Sequence, residues 1–241
     1  MKKTSLLQKA NSEQRTARII GVLLILAMIS SLLSGIFLKS KNATDYLGAI
    51  SSNEYLIFIG VLFMLVLTAS VVSIPIVMYP IFKKHNESLA IGYIGARIFE
   101  GVCDFIMAIA SVLLVILSRE VLKPGAPNVS YFQASGSVIL GLYDWISLLE
   151  NIPYCLGAIT LFSMLYQSKL VPRWLSIWGL SGAVILLIRV PLDIFVFGPL
   201  ALDYLAIPIF LSEIVLAIWL FIKGFKTPTD ESLSIQSEEK K

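Results

Sequence analysis

Charge is scarce in this chain. Only 15% of its 241 residues are Asp, Glu, Lys or Arg, against about one-quarter in an ordinary soluble domain. A soluble fold of this length would leave much of its 57% hydrophobic content against water; a lipid bilayer is the alternative solvent. Histidine is nearly absent. The one present, His85, lies in a short charged loop and reads as a surface group, so no buried histidine is at hand to activate a serine. The two cysteines, Cys103 and Cys155, both sit in apolar runs. They cannot staple a set of loops or build a metal centre, and they read as small apolar fillers. There is no P-loop and no H-E-x-x-H pair. The net charge is only +3, with the basic residues gathered in tails and short loops. They read as topology signals, and no nucleic-acid partner is expected.

What is there is long apolar runs, with a mean hydropathy of +0.83 over the chain. A bilayer core of about 30 Å needs about 20 apolar residues at about 1.5 Å each. Six segments qualify: 19–38, 55–82, 89–117, 136–166, 175–197 and 202–225. The second, third and fourth are long enough to need tilt or a kink. Prolines stand where kinks would help: Pro75 and Pro80 in the second, Pro153 in the fourth, Pro191 in the fifth and Pro208 in the sixth. The expected fold is therefore all-α, one six-helix membrane domain over 19–225. It is preceded by a polar tail over 1–18 and followed by a polar, disordered tail over 226–241. The polar lead is long and no convincing A-x-A site follows the first run, so that run reads as an uncleaved membrane helix, not a signal peptide.

Lys and Arg set the orientation. Thirteen fall in the two tails and the loops at 83–88 and 167–174, and four (Lys39, Lys41, Arg119 and Lys123) on the other side. Both ends are expected in the cytoplasm. Trp174, Trp178 and Trp219 fall near the inner interface and Tyr55 and Tyr204 near the outer one, as aromatic belts require. The longest loop, 118–135, carries the turn-rich KPGAPN and is too short for a domain. Asn42-Ala-Thr44 and Asn128-Val-Ser130 match the glycosylation pattern, one that arises often by chance. No internal repeat is visible; the charged spans are the last four.

Eight ionisable residues lie inside the spans away from their ends: Glu100, Asp104, Asp144, Glu150, Asp193, Glu213, Arg97 and Arg189. At about 3 kcal/mol each, eight lipid-facing charges would cost on the order of 24 kcal/mol. They are expected to face the bundle interior or a wet cavity. Helical geometry agrees. Arg97, Glu100 and Asp104 fall within an arc of about 60°. Asp144, Ser147, Glu150, Asn151 and Tyr154 fall within about 120°, and Arg189 and Asp193 form an i,i+4 pair. Glu213 stands alone near mid-depth. Pairing Arg97 with Glu100 and Arg189 with Asp193 leaves Asp104, Asp144, Glu150 and Glu213 to be protonated or to hold a cation or water. The candidate ligand- or ion-binding set is Arg97, Glu100, Asp104, Asp144, Glu150, Asn151, Arg189, Asp193 and Glu213. The bland reading is a polar network that locks helix packing; so many surplus acids favour a site over glue. Ser31-x-x-x-Gly35 and Gly92-x-x-Gly95 suit close helix contact, and Trp145 reads as a packing or interface residue.

Three stretches carry a family resemblance: ARIIGVLLILAMISSLLSG near the start, YQSKLVPRWLSIWGLSGAVILLIR at 166–189 and LAIPIFLSEIVLAIWLFIKGF at 205–225. Together they resemble a bacterial family, domain of unknown function 4386, from about Arg18 to Phe225. Pro172, Arg173, Trp174, Pro208, Glu213, Trp219 and Lys223 are the matching positions. The resemblance implies a multi-pass protein of the bacterial inner membrane and brings no activity with it. The first functional reading is a binding or transport protein for a small molecule or ion, with its polar site among spans three to six. The second is an intramembrane enzyme acting on a lipid, which lacks the loop-borne acidic motif of Mg²⁺–diphosphate chemistry. The third is a non-catalytic accessory or sensory subunit. Enzyme activity is the lesser expectation, no cofactor or metal is called for, and the bilayer is the one partner the residues require.

Overall fold

A computed structural model of the chain describes residues 2–43, 45–121, 123, 129–197 and 202–226. The turn-rich stretch beyond Lys123, Thr44 and Asn128 of the glycosylation patterns, and the tail beyond Lys226 lie outside the described residues. Among the described residues there is no strand. Eight α-helices follow one another: α1 (Lys2–Phe37), α2 (Tyr46–Ser52), α3 (Glu54–Phe82), α4 (Glu87–Val121), α5 (Val129–Leu149), α6 (Asn151–Ser168), α7 (Arg173–Leu192) and α8 (Ile207–Ile222). Six spans are long and apolar enough to cross a membrane, with α5 and α6 forming one of them.

The first helix is longer than its apolar run. The polar lead continues it as helix from Lys2, because nothing in that lead is a helix breaker. The short α2 was not foreseen. Asp45 starts it by accepting the Gly48 N–H at 3.2 Å, and Leu47 and Ile50 bury its inner face. The fourth span breaks at Glu150. Pro153 has no N–H to give the Leu149 carbonyl, and the side chain of Asn151 donates to the Ser147 and Leu148 carbonyls at 2.9 and 3.0 Å. Past Pro191, α7 loosens into a π-helical turn at Asp193–Phe197. Pro208 sits in the first turn of α8, where its missing N–H costs nothing.

The spans pack as a ring in chain order. α1 lies against α3, α3 against α4, α4 against both α5 and α6, α6 against α7, α7 against α8, and α8 returns to α1. Two glycines let this ring close. A Cβ on Gly21 would stand 2.8 Å from the Phe221 nitrogen, and one on Gly182 2.8 Å from the Ile209 nitrogen. Both obstacles are backbone, so the helices touch only because these side chains are absent. Gly35, Gly92 and Gly95 do not play this part, since a Cβ on any of them meets nothing within 4 Å; they face outward.

The two ends share one face of the ring. Gln14 Nε2 donates to the Phe225 carbonyl at 2.5 Å, the Lys226 N–H to the Leu170 carbonyl at 2.8 Å, and Lys84 pairs with Glu13 at 3.0 Å. Gly224, at φ +71°, turns the chain after α8 so that Phe225 tucks into the core. This is the physical content of the K-G-F pattern. The opposite face holds α2, the Arg119–Glu54 ion pair and the α7–α8 connection.

The apolar interior is split. One cluster, around Phe82, Tyr93, Phe162 and Phe225, lies toward the face of the chain ends. The other, around Leu38, Ile50, Met107 and Leu114, lies toward the opposite face. Along α4 the division falls between Tyr93 and Met107, where Arg97, Glu100 and Asp104 stand.

Candidate functional site

The middle of α4 supplies one wall. Arg97, Glu100 and Asp104 share a buried face, each no more than 4% exposed. Arg97 Nη1 donates to both Glu100 oxygens at 3.0 Å. Its Nη2 lies 3.6 Å from Oε1 of Glu213 on α8. The guanidinium reaches this position by lying along Gly157 of α6, whose absent Cβ would stand 3.2 Å from Nε. The rings of Tyr93 and Tyr154 flank it at 5.6 and 5.2 Å. Glu213 is thus the second counter-charge of Arg97, across the ring, and does not stand alone.

The break between α5 and α6 supplies the second wall. It turns Ser147, Glu150, Asn151 and Tyr154 inward together. The Glu150 and Asp104 carboxyls interact across the α4–α6 gap, and Asp104 also accepts the Thr68 hydroxyl of α3 at 3.4 Å. Asp144, one turn and a half earlier, is not brought to this wall. It acts on Lys41, whose ammonium lies 3.1 Å above the Tyr143 ring.

The third wall comes from the end of α7 and the start of α8. Arg189 Nε donates to Asp193 at 2.8 Å, and its other arm pairs with Asp203. Asp193 is fully buried and also accepts the Leu202 N–H at 3.2 Å. It therefore holds both the arginine and the turn into α8, and does not itself line the space. Asp203 is the one exposed acid of the group, its side chain 63% accessible.

These walls enclose a cavity of about 310 Å³ to which all six spans contribute. Its ionisable lining is Arg97, Arg189, Glu100, Asp104, Glu150, Asp203 and Glu213. α1 and α3 complete it with apolar residues, among them Leu24, Met28, Val71 and Ile74. Of the nine sequence candidates, seven line this space, Asp193 stands behind Arg189, and Asp144 lies apart. Three participants went unnoticed in the sequence: Thr68, Tyr93 and Asp203. Asp203 was detectable as an acid next to the start of the sixth apolar run. Nothing in the sequence singles out Thr68.

The donor set offers little to a multivalent metal. Among the described residues no group of three or more His, Cys, Asp or Glu side chains is placed to hold one. What the arrangement offers chemically is a surplus of carboxyl groups over its two guanidiniums, surrounded by hydrocarbon side chains.

A family model described as "Domain of unknown function (DUF4386)" matches residues 19–224 of the chain. No curated protein and no solved structure matches it significantly.

Proposed function

Given that this chain belongs to the DUF4386 family, a domain of unknown function, we propose that it binds a small polar molecule or ion in its central cavity and moves that solute through the membrane domain. The observation that carries this reading is the cavity lined by all six spans with seven ionisable side chains. Helix-locking alone requires a satisfied network, with partners filling the space between the helices. Here the charges surround a volume at the lower end of the range of small-molecule sites, about 300–1,000 Å³.

The mouth lies at the Asp203 end, where that acid is exposed beside the α7–α8 connection. Thirteen Lys and Arg in the two tails and the loops at 83–88 and 167–174, against four in the other loops, support cytoplasmic chain ends and an outward-facing mouth in a bacterial inner membrane.

Cysteine labelling tests the reading. With Cys103 and Cys155 replaced by alanine, Ser147→Cys and Ala206→Cys, both at cavity positions, should react with a membrane-impermeant thiol reagent. Val22→Cys, on the lipid face and 47% exposed there, should stay silent, because a thiol in hydrocarbon does not ionise. Silence at all three positions would mean that no aqueous cavity exists. Labelling of Ala206→Cys from the outside in intact cells also checks the orientation.

A further inference from the structure

We propose that the ligand of this cavity is an organic ammonium with an apolar body, received by Asp104 and Glu150; this rests on the cavity's being a binding site. The charge inventory carries the assignment. Both guanidiniums are already paired with carboxylates, and Arg97 Nε, which lies along Gly157, is buried without a hydrogen-bond partner. Arg97 holds Glu100 at 3.0 Å and Glu213 at 3.6 Å, and Arg189 holds Asp193 at 2.8 Å together with Asp203. Among the described residues lining the cavity, no basic side chain lacks a carboxylate counter-charge. The Asp104 and Glu150 carboxyls, in contrast, confront each other. Among the described residues neither forms an ion pair with a basic side chain. Each carboxyl has the other as its neighbour and no counter-charge, so a cation that displaces the proton they share pairs with both.

A second observation points the same way. Oε1 of Glu213, although 3.6 Å from Arg97 Nη2, accepts no hydrogen bond, on a residue only 8% exposed that lines the same space. A buried acceptor without a donor is costly, and an ammonium N–H is such a donor. Size and lining then separate an organic cation from a bare ion. The cavity measures about 310 Å³, roughly ten times the share of one water molecule, about 30 Å³. Leu24, Met28, Val71 and Phe210 line the same space as the acids, and they would receive hydrocarbon and repel a hydrated ion.

Titration calorimetry on the full chain in lipid nanodiscs tests this with four probes: 2-phenylethylammonium, its neutral counterpart 2-phenylethanol, the anion 3-phenylpropionate, and potassium or magnesium chloride. The ammonium should bind at least about tenfold tighter than the alcohol, and the anion should not bind. Asp104→Asn and Glu150→Gln should each remove that preference while the protein still elutes as a single folded species. Asp144→Asn, away from the cavity, should leave the affinity within about twofold. Equal binding of ammonium and alcohol, preference for the anion, or binding of the inorganic cations alone overturns the ligand class but leaves the cavity as a site. So does a loss in Asp144→Asn as large as in Asp104→Asn. Absence of binding by every probe overturns both.

Discussion

Arg97→Met keeps much of the arginine's stem and removes the charge that Glu100 and Glu213 share. Its Nη1 lies 3.0 Å from Glu100 and its Nη2 3.6 Å from Glu213. At an effective dielectric near 20 each contact is worth about 5 kcal/mol of gross attraction. Most of that offsets the cost of taking three charged groups out of water. The single variant keeps the two buried acids and loses their compensation, so it should be destabilised by about 3–5 kcal/mol. Adding Glu100→Gln and Glu213→Gln removes the charges left behind. The triple variant should then recover at least about 2 kcal/mol, since replacing a whole buried charge cluster is often nearly neutral. Unfolding in mixed micelles with increasing dodecyl sulfate, followed by tryptophan fluorescence, gives both numbers. A cost below about 1 kcal/mol for the single variant, within the range of solvent-screened pairs, would refute the reasoning. A triple variant no more stable than the single one would refute it equally.

Steric substitutions should separate the two kinds of glycine. Gly21→Val and Gly182→Val push against helix backbone and should cost about 1–3 kcal/mol in the same micelle titration, whereas Gly92→Val, with nothing within 4 Å, should stay within about 0.5 kcal/mol. The two acids on Arg189 should also differ. Asp193→Asn weakens a fully buried partner that also accepts the Leu202 N–H and should lower the unfolding midpoint clearly, while Asp203→Asn, 63% exposed, should cost no more than about 1 kcal/mol. Thr68→Val removes the hydroxyl bonded to Asp104; with 2-phenylethylammonium as ligand it should change affinity a few-fold in calorimetry and leave helicity intact.

The parts of this arrangement that one helix decides were legible in the sequence. The six spans follow from run length, and the common face of Arg97, Glu100 and Asp104 from the angle per residue. The Arg189–Asp193 pair is a neighbour relation four residues apart. What depends on two elements was not legible. Glu213 looked solitary because its partner sits on the third span. Asp144 falls at the edge of the arc that holds Glu150. Six residues at about 100° each put it about 120° round the helix from Glu150, and it acts on Lys41 instead. Gly92 and Gly95 had the spacing of a contact motif, but that spacing cannot say which side of the helix meets a neighbour. Asp203 lies at the edge of its apolar run, where an acid has water to hand, and only the fold brings Arg189 against it.

The closure of the ring by α8 against α1 has a consequence for biogenesis. While the ribosome is still making the sixth span, the first five already stand in the membrane with a gap on one side. Through that gap the polar seam of α4 and the open flank of Gly21 face lipid. Arg97 has then only Glu100, and its second counter-ion arrives with Glu213, among the last parts to be threaded. A chaperone or the translocon itself must shield this seam until then. A nascent chain stalled after α7 should accordingly be held there or degraded, and it should be released once α8 slots in.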